Sequence, residues 1–192
     1  MGAVETKGEA GRVRRSRRDA IDNESRVREA AMLVFEQRGN AMTMDDVAAE
    51  AGVSKGTVYN TFGTRQDLVD EMTVEFLGRA TDSYRQELDS ESVWDALLDV
   101  ILTPTFGVAA RPEILDPKAP AGRVKDALTV ALTAFGELVE RGKSEGVIRP
   151  EITVDHLLVL FRGLAMALPE YSLGRATQAK EYAVIILRGI HA

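Results

Sequence analysis

Between positions 43 and 69 the chain reads TMDDVAAEAGVSKGTVYNTFGTRQDLV. The groups there that can do chemistry are hydrogen-bond donors, not nucleophiles. They are the hydroxyls of Ser54, Thr57, Tyr59 and Thr61, the amide of Asn60 and the ammonium of Lys55, with Gly56 among them. Short donors near a helix N-terminus suit an anion, because first-turn N–H groups lack partners and the helix dipole favours negative charge there. A phosphate backbone is the anion that rewards such a row. An ordinary packing hairpin has no need of an outward Ser-Lys-Gly-Thr-x-Tyr-Asn surface.

Other candidates are weaker. Asp67, Glu71 and Glu75 fall at i, i+4 and i+8, which reads as a solvated helix face, Asp67 being favoured in a first turn. There are two histidines, His156 and His191, and no G-x-S-x-G motif near either. The chain has no cysteine, which excludes disulfides, thiolate metal sites and cysteine nucleophiles. No catalytic residue, metal site or cofactor is expected.

Two short helices joined at Gly52 must position the donors. Thr43 opens the first, and Asp46 three residues on completes a T-x-x-D capping box. Val47, Ala48 and Ala51 form its inner face; small residues let steeply crossed helices approach. Gly52 suits the reversal because a positive φ costs it nothing. Ser54 caps the second helix, which Val53, Val58 and Phe62 anchor. Together these make a helix-turn-helix. Before it, Val27, Ala30, Ala31, Val34 and Phe35 predict a helix over 23–38, stopped at Gly39-Asn40, both of which tolerate the left-handed conformation. After it, Leu68, Val69, Met72, Phe76 and Leu77 mark a fourth helix over about 65–86.

The remaining pattern is also helical. Stripes run through Val93–Leu102, through 124–139 to a stop at Gly146, from a Thr153 cap through Leu157, Leu160, Phe161, Leu164, Ala165 and Leu168, and over 179–190. Pro104 breaks the fifth helix, and 104–120 holds four of the six prolines. The one strand-like run, 147–152, is interrupted by Pro150. The expectation is an all-α protein of eight to ten helices: a basic arm over 1–18, a three-helix helix-turn-helix DNA-binding domain over 19–66, and a helical ligand-binding and dimerisation domain over 67–192.

The 192 residues carry 24 Lys+Arg against 30 Asp+Glu, a net charge of −6. The split is uneven. Residues 1–18 are net +4, through Lys7, Arg12, Arg14, Arg15, Arg17 and Arg18, and the other 174 are net −10. The arm is too polar to bury itself and suits phosphate or minor-groove contact, while the acidic body limits indiscriminate DNA binding. No run approaches the ~18 apolar residues of a membrane span. The first residues lack the apolar stretch of a secretory signal, so a cytoplasmic protein is expected.

The stretch 24–77 resembles the N-terminal domain of tetracycline-repressor (TetR/AcrR) family regulators. The residues that carry the likeness are Thr43, Val47-Ala48, Glu50 through Val58-Tyr59, Phe62 and Arg65-x-x-Leu68. The resemblance implies a homodimer that binds a double-stranded palindromic operator and releases it when a small molecule fills the C-terminal domain. It implies a phosphate-contacting cap at Thr43, backbone and base-edge contacts from Ser54, Lys55 and Gly56, a continuing face at Thr57, Tyr59, Asn60 and Thr61, and a phosphate contact at Arg65. Arg14, Arg15, Arg17 and Arg18 would add arm contacts. Where many members have an aromatic or histidine, this chain has Asn60 and Thr61, which leaves Asn60 free for a bidentate contact with adenine.

An unidentified, partly apolar effector would sit among Phe76, Trp94, Leu98, Phe106, Phe135 and Met166, with Arg162 or Glu137 supplying polarity. Leu160, Gly163, Ala167, Ala179, Tyr182, Ala183 and Ile186 on the last two helices suit a dimer-forming four-helix bundle. The preferred reading is a ligand-responsive repressor; the alternative is an apolar-ligand-sequestering module without specific DNA binding.

Overall fold

The computed structural model describes residues 23–102, 122–167 and 176–192. Among them are eight α-helices: α1 (23–38), α2 (Met44–Ala51), α3 (Lys55–Phe62), α4 (Arg65–Glu87), α5 (Val93–Leu102), α6 (Arg123–Ser144), α7 (Val154–Ala167) and α8 (Ala176–Ile190), with a 3-10 turn at Gly39–Ala41. No strand occurs among the described residues; an isolated antiparallel bridge joins Ile148 to His191 in the proline-interrupted run. The protein is all-α. No described helix is long and apolar enough to cross a membrane. The chain divides into two compact units, Met1–Val69 and Asp70–Ala192. Pro104, Phe106 and Arg14 to Arg18 lie outside the described residues.

In the first unit the whole predicted stripe of α1, Val27, Ala30, Ala31, Val34 and Phe35, is buried. Met42, Met44, Val47, Ala48, Ala51, Val58, Phe62 and Leu68 complete that core. Gly39 ends α1 with φ 53°, but Asn40 does not share the left-handed turn: no described non-glycine residue has positive φ. One left-handed residue suffices because the chain re-enters a 3-10 turn at once. Gly52 is left-handed at φ 65°, as the reversal between α2 and α3 requires. Its neighbour Val53 donates to Ala48 O at 3.0 Å and locks the turn.

The second unit buries Tyr84, Val93, Leu97, Val100, Phe135, Leu138, Ile148, Leu157, Ala183 and Leu187 in one cluster. Arg141 ties α6 to the end of α4: Nη1 donates to Leu88 O at 2.7 Å and Nη2 to Ser90 O at 2.7 Å, while Nε meets Glu145 at 2.7 Å. Those carbonyls lie at or just past a helix C-terminus, where partners are scarce. Thr153 caps α7 as expected, and its partner in the box is His156, whose Nδ1 accepts from Thr153 N–H at 3.2 Å. Leu160 departs from its expected inward place and is exposed. Leu157 is fully buried in the core and Val154 packs against it, while Val159 and Leu160 on the same helix are exposed.

Two glycines in long helices separate packing from propensity. A Cβ on Gly142 of α6 would lie 2.7 Å from Ile148 Cδ1 and 3.2 Å from Val93 Cγ1, whereas one on Gly78 of α4 would meet nothing within 4 Å. Gly78→Ala should stabilise by about 0.5–1 kcal/mol through backbone entropy. Gly142→Ala gains the same amount but overpacks a buried site at a cost of about 1–3 kcal/mol. Opposite shifts in thermal midpoint are expected, and a rise for both would show that Ile148 yields freely.

Candidate nucleic-acid interface

The N-terminus of α3 is built by Ser54. Its backbone is extended and its Oγ accepts from Thr57 N–H at 3.2 Å, with Thr57 Oγ1 3.0 Å away. Val58 and Phe62 are buried, which turns Ser54, Lys55, Gly56, Tyr59 and Asn60 outward, all five exposed. Thr57 and Thr61 stand at the edge of this face, half-buried, and Thr61 Oγ1 donates to Thr57 O at 3.1 Å. The outward face is therefore narrower than expected: both threonines spend hydroxyl contacts inside α3. A Cβ on Gly56 would touch only Ser54 Oγ, at 3.7 Å. The chain's own packing does not demand glycine there, and its bare backbone leaves room for close approach from outside.

Three caps fix the helices around this face. Thr43 and Asp46 form the full box: Asp46 N–H donates to Thr43 Oγ1 at 3.2 Å, and Asp46 Oδ2 accepts from Thr43 N–H at 3.0 Å and from its hydroxyl at 2.7 Å. Arg38 Nη1 holds the other carboxylate oxygen of Asp46 at 2.6 Å. Thr64 and Asp67 repeat the box at the start of α4. That second box has the same T-x-x-D spacing as the first. Arg28 lies over the Phe62 ring, 5.4 Å from its centroid, and fastens α1 to α3.

The cations have local partners. Arg65 donates from Nε to Met42 O at 3.0 Å and from Nη2 to Asn40 O, so this side chain clamps the turn before α2. Lys55 Nζ meets Asp45 Oδ2 at 2.7 Å, and that bond pushes the ammonium pKa up. The spacing of ten residues across the Gly52 turn gives no periodic signal for this pair.

In the second unit, Val159 (70% exposed), Leu160, Tyr182 and Ile185 (63% exposed) present apolar surface on α7 and α8, and Gly163 is exposed among them. An apolar groove of about 480 Å³ runs there, lined by Ile152, His156, Val159, Leu160, Ile186 and Ile190 among others. Ala183 corrects the expected interface: it is fully buried in its own chain's core, one turn before Leu187 on the inward stripe. The side chains of Ala167, Ala179, Arg162 and Met166 lie outside those described. Of the expected effector pocket, Phe76 and Phe135 are buried, Phe135 with its ring 5.4 Å from that of Tyr84. Trp94 meets His191 edge-on at 5.4 Å, and Leu98 packs half-buried on the core. The described members are thus packed side chains, and none lines the groove.

Residues 27–72, from α1 into α4, match the tetR family of bacterial regulatory proteins. The chain is similar to the HTH-type transcriptional repressor KstR2 of Rhodococcus jostii (strain RHA1), at 28% identity over 98% of this chain and 95% of the relative. Over 30% of this chain and 28% of the relative it is 36% identical to the HTH-type transcriptional regulator AlkX of Mycobacterium tuberculosis (strain ATCC 25618 / H37Rv). Among solved structures, the TetR transcriptional regulator SCO0520 from Streptomyces coelicolor shares the fold with a TM-score of 0.65. That match has 21% identity and covers 88% of this chain and 98% of the other.

The Thr43–Asp46 box carries a pH signature. The Thr43 hydroxyl holds the Asp46 carboxyl below its ordinary value of 3.8; burial opposes it less strongly, and the Thr43 backbone N–H and Arg38 add smaller lowering effects. A depressed native pKa contributes stability above the unfolded value that is lost as pH falls through the native one. Asp46→Asn should therefore flatten the loss of stability below pH 3.8, read by thermal melts across that range. Thr43→Ala should cost about 1 kcal/mol at neutral pH. An acid limb unchanged in Asp46→Asn would remove Asp46 from the account.

Proposed function

We propose that the chain is a transcriptional regulator of the TetR family, a repressor that binds a palindromic operator as a homodimer and leaves it when a small, partly apolar molecule binds the second unit. The observation that carries this reading is the exposed N-terminal face of α3, with Gly56 bare where packing would accept a side chain. Ser54 and Tyr59 would hold phosphates, Lys55 and Gly56 the backbone or a base edge, and Asn60 an adenine. Thr43 and Arg65 would add phosphate contacts, and Arg14, Arg15, Arg17 and Arg18 those of the arm. The repressor part draws on the Rhodococcus jostii relative, which is named as one.

Dimerisation through α7 and α8 is supported by the exposed apolar side chains of Val159, Leu160, Tyr182 and Ile185. Two recognition helices must sit about 34–36 Å apart to enter successive major grooves. A ligand that prefers another spacing lowers DNA affinity by its differential affinity for the two conformations, and one that binds both equally changes nothing. The chemistry proposed is binding, without catalysis.

Footprinting on the DNA beside its own gene should reveal a protected palindrome, with binding that weakens steeply as salt rises. Absence of specific binding to any nearby palindrome would overturn the reading. Asn60→Ala should relax base preference at one position of each half-site by about 1–3 kcal/mol; an unchanged preference removes the adenine contact. Gly56→Ala should raise the thermal midpoint yet weaken operator binding, a split that no purely structural role for Gly56 produces. Ile185→Glu together with Val159→Glu should yield monomers in sedimentation.

A further inference from the structure

Residues 23–69 contain five cations and seven acids. Each cation is already engaged by its own chain. Arg26 donates to Ala51 O, Arg28 pairs with Glu24 and covers Phe62, Arg38 pairs with Asp46, Arg65 clamps Asn40 and Met42, and Lys55 pairs with Asp45. Arg28, Arg38 and Lys55 sit in ion pairs, whereas Arg26 and Arg65 bind neutral carbonyls and keep their net charge. Four of the five cations serve the fold: Arg26 and Arg65 hold backbone carbonyls, Arg38 holds the Asp46 of a capping box, and Arg28 pairs with Glu24 on its own helix.

Asp45 is different. It is no part of the box at the start of α2, which Asp46 completes, and its side chain is 69% exposed. Lys55 is 50% exposed and is the first residue of the helix that carries the outward donors. An acid 2.7 Å from that ammonium offers DNA a pair without net charge.

We propose that Asp45 is a specificity-determining residue: it withholds Lys55 from DNA of arbitrary sequence, and only a site offering matched contacts to the rest of the α3 face draws the lysine away. This rests on the DNA-binding reading above. On random duplex Lys55 stays with Asp45, the pair adds nothing to counterion release, and the neighbouring carboxylate repels phosphate. On a matched site the other contacts offset the loss of an exposed ion pair, which favours the paired state by no more than about fivefold.

The test is binding of the full chain to a random-sequence duplex over a salt series, with wild type, Asp45→Asn, Asp45→Glu, Lys55→Gln and the Asp45→Asn/Lys55→Gln double variant. Asp45→Asn should tighten random-duplex binding by up to about fivefold at low salt. It should also steepen the log–log salt slope by about 0.9, the value of one phosphate contact. Asp45→Glu should behave as wild type, and the gain should vanish in the Lys55→Gln background. An equal gain with and without Lys55 would reduce Asp45 to general charge and overturn the proposal, as would no gain at all. Failure of every variant, wild type included, to bind DNA would instead reject the regulator reading itself. Melting curves serve as the folding control, and Asp45→Asn should match wild type because the box is intact.

Discussion

Eight residues are too few for a helix to persist alone in water, and α2 and α3 are each eight residues long. Their existence depends on burial and on their ends. Val47, Ala48 and Ala51 of α2, and Val58 and Phe62 of α3, supply the burial. Thr43, Ser54 and the left-handed Gly52 supply the ends. Because every inward position is committed to holding these helices, the outward residues of α3 are set in place by atoms that never face a ligand. A face so fixed bears its donors in one arrangement, which is what recognition of a rigid duplex requires.

The cations between residues 23 and 69 are engaged within the chain. Arg65 is spent on carbonyls and Arg38 on a cap, so the unit's cations serve as fasteners first. The uneven distribution along the chain, a basic stretch before Arg18 and an acidic remainder, puts long-range attraction outside the helix-turn-helix. On the proposed reading, recognition and attraction fall to different parts of the sequence.

What could be read in advance follows from the range of each interaction. Val27 to Phe35, the Thr43–Asp46 box, Gly52 and Ser54 are local, repeating or stereochemical, and one stretch of chain is enough to disclose them. The Lys55–Asp45 pair and the Arg65 clamp link residues across turns, where spacing has no period. Ala183 differs for another reason: α7 and α8 carry apolar side chains on exposed as well as buried positions, so hydrophobicity alone does not say which side faces in. Trp94 and Phe135 are aromatic residues whose role as packing or as lining is decided by neighbours such as His191 and Tyr84.

His156 joins two of these features, capping α7 while lining the apolar groove. Since its Nδ1 accepts from a backbone N–H, the neutral ring carries its hydrogen on Nε2, and the tautomer is dictated by the cap. The imidazole is thus a native spectroscopic label. Its nitrogen resonances report the first turn of α7 and, through the groove wall, whatever comes to rest against it.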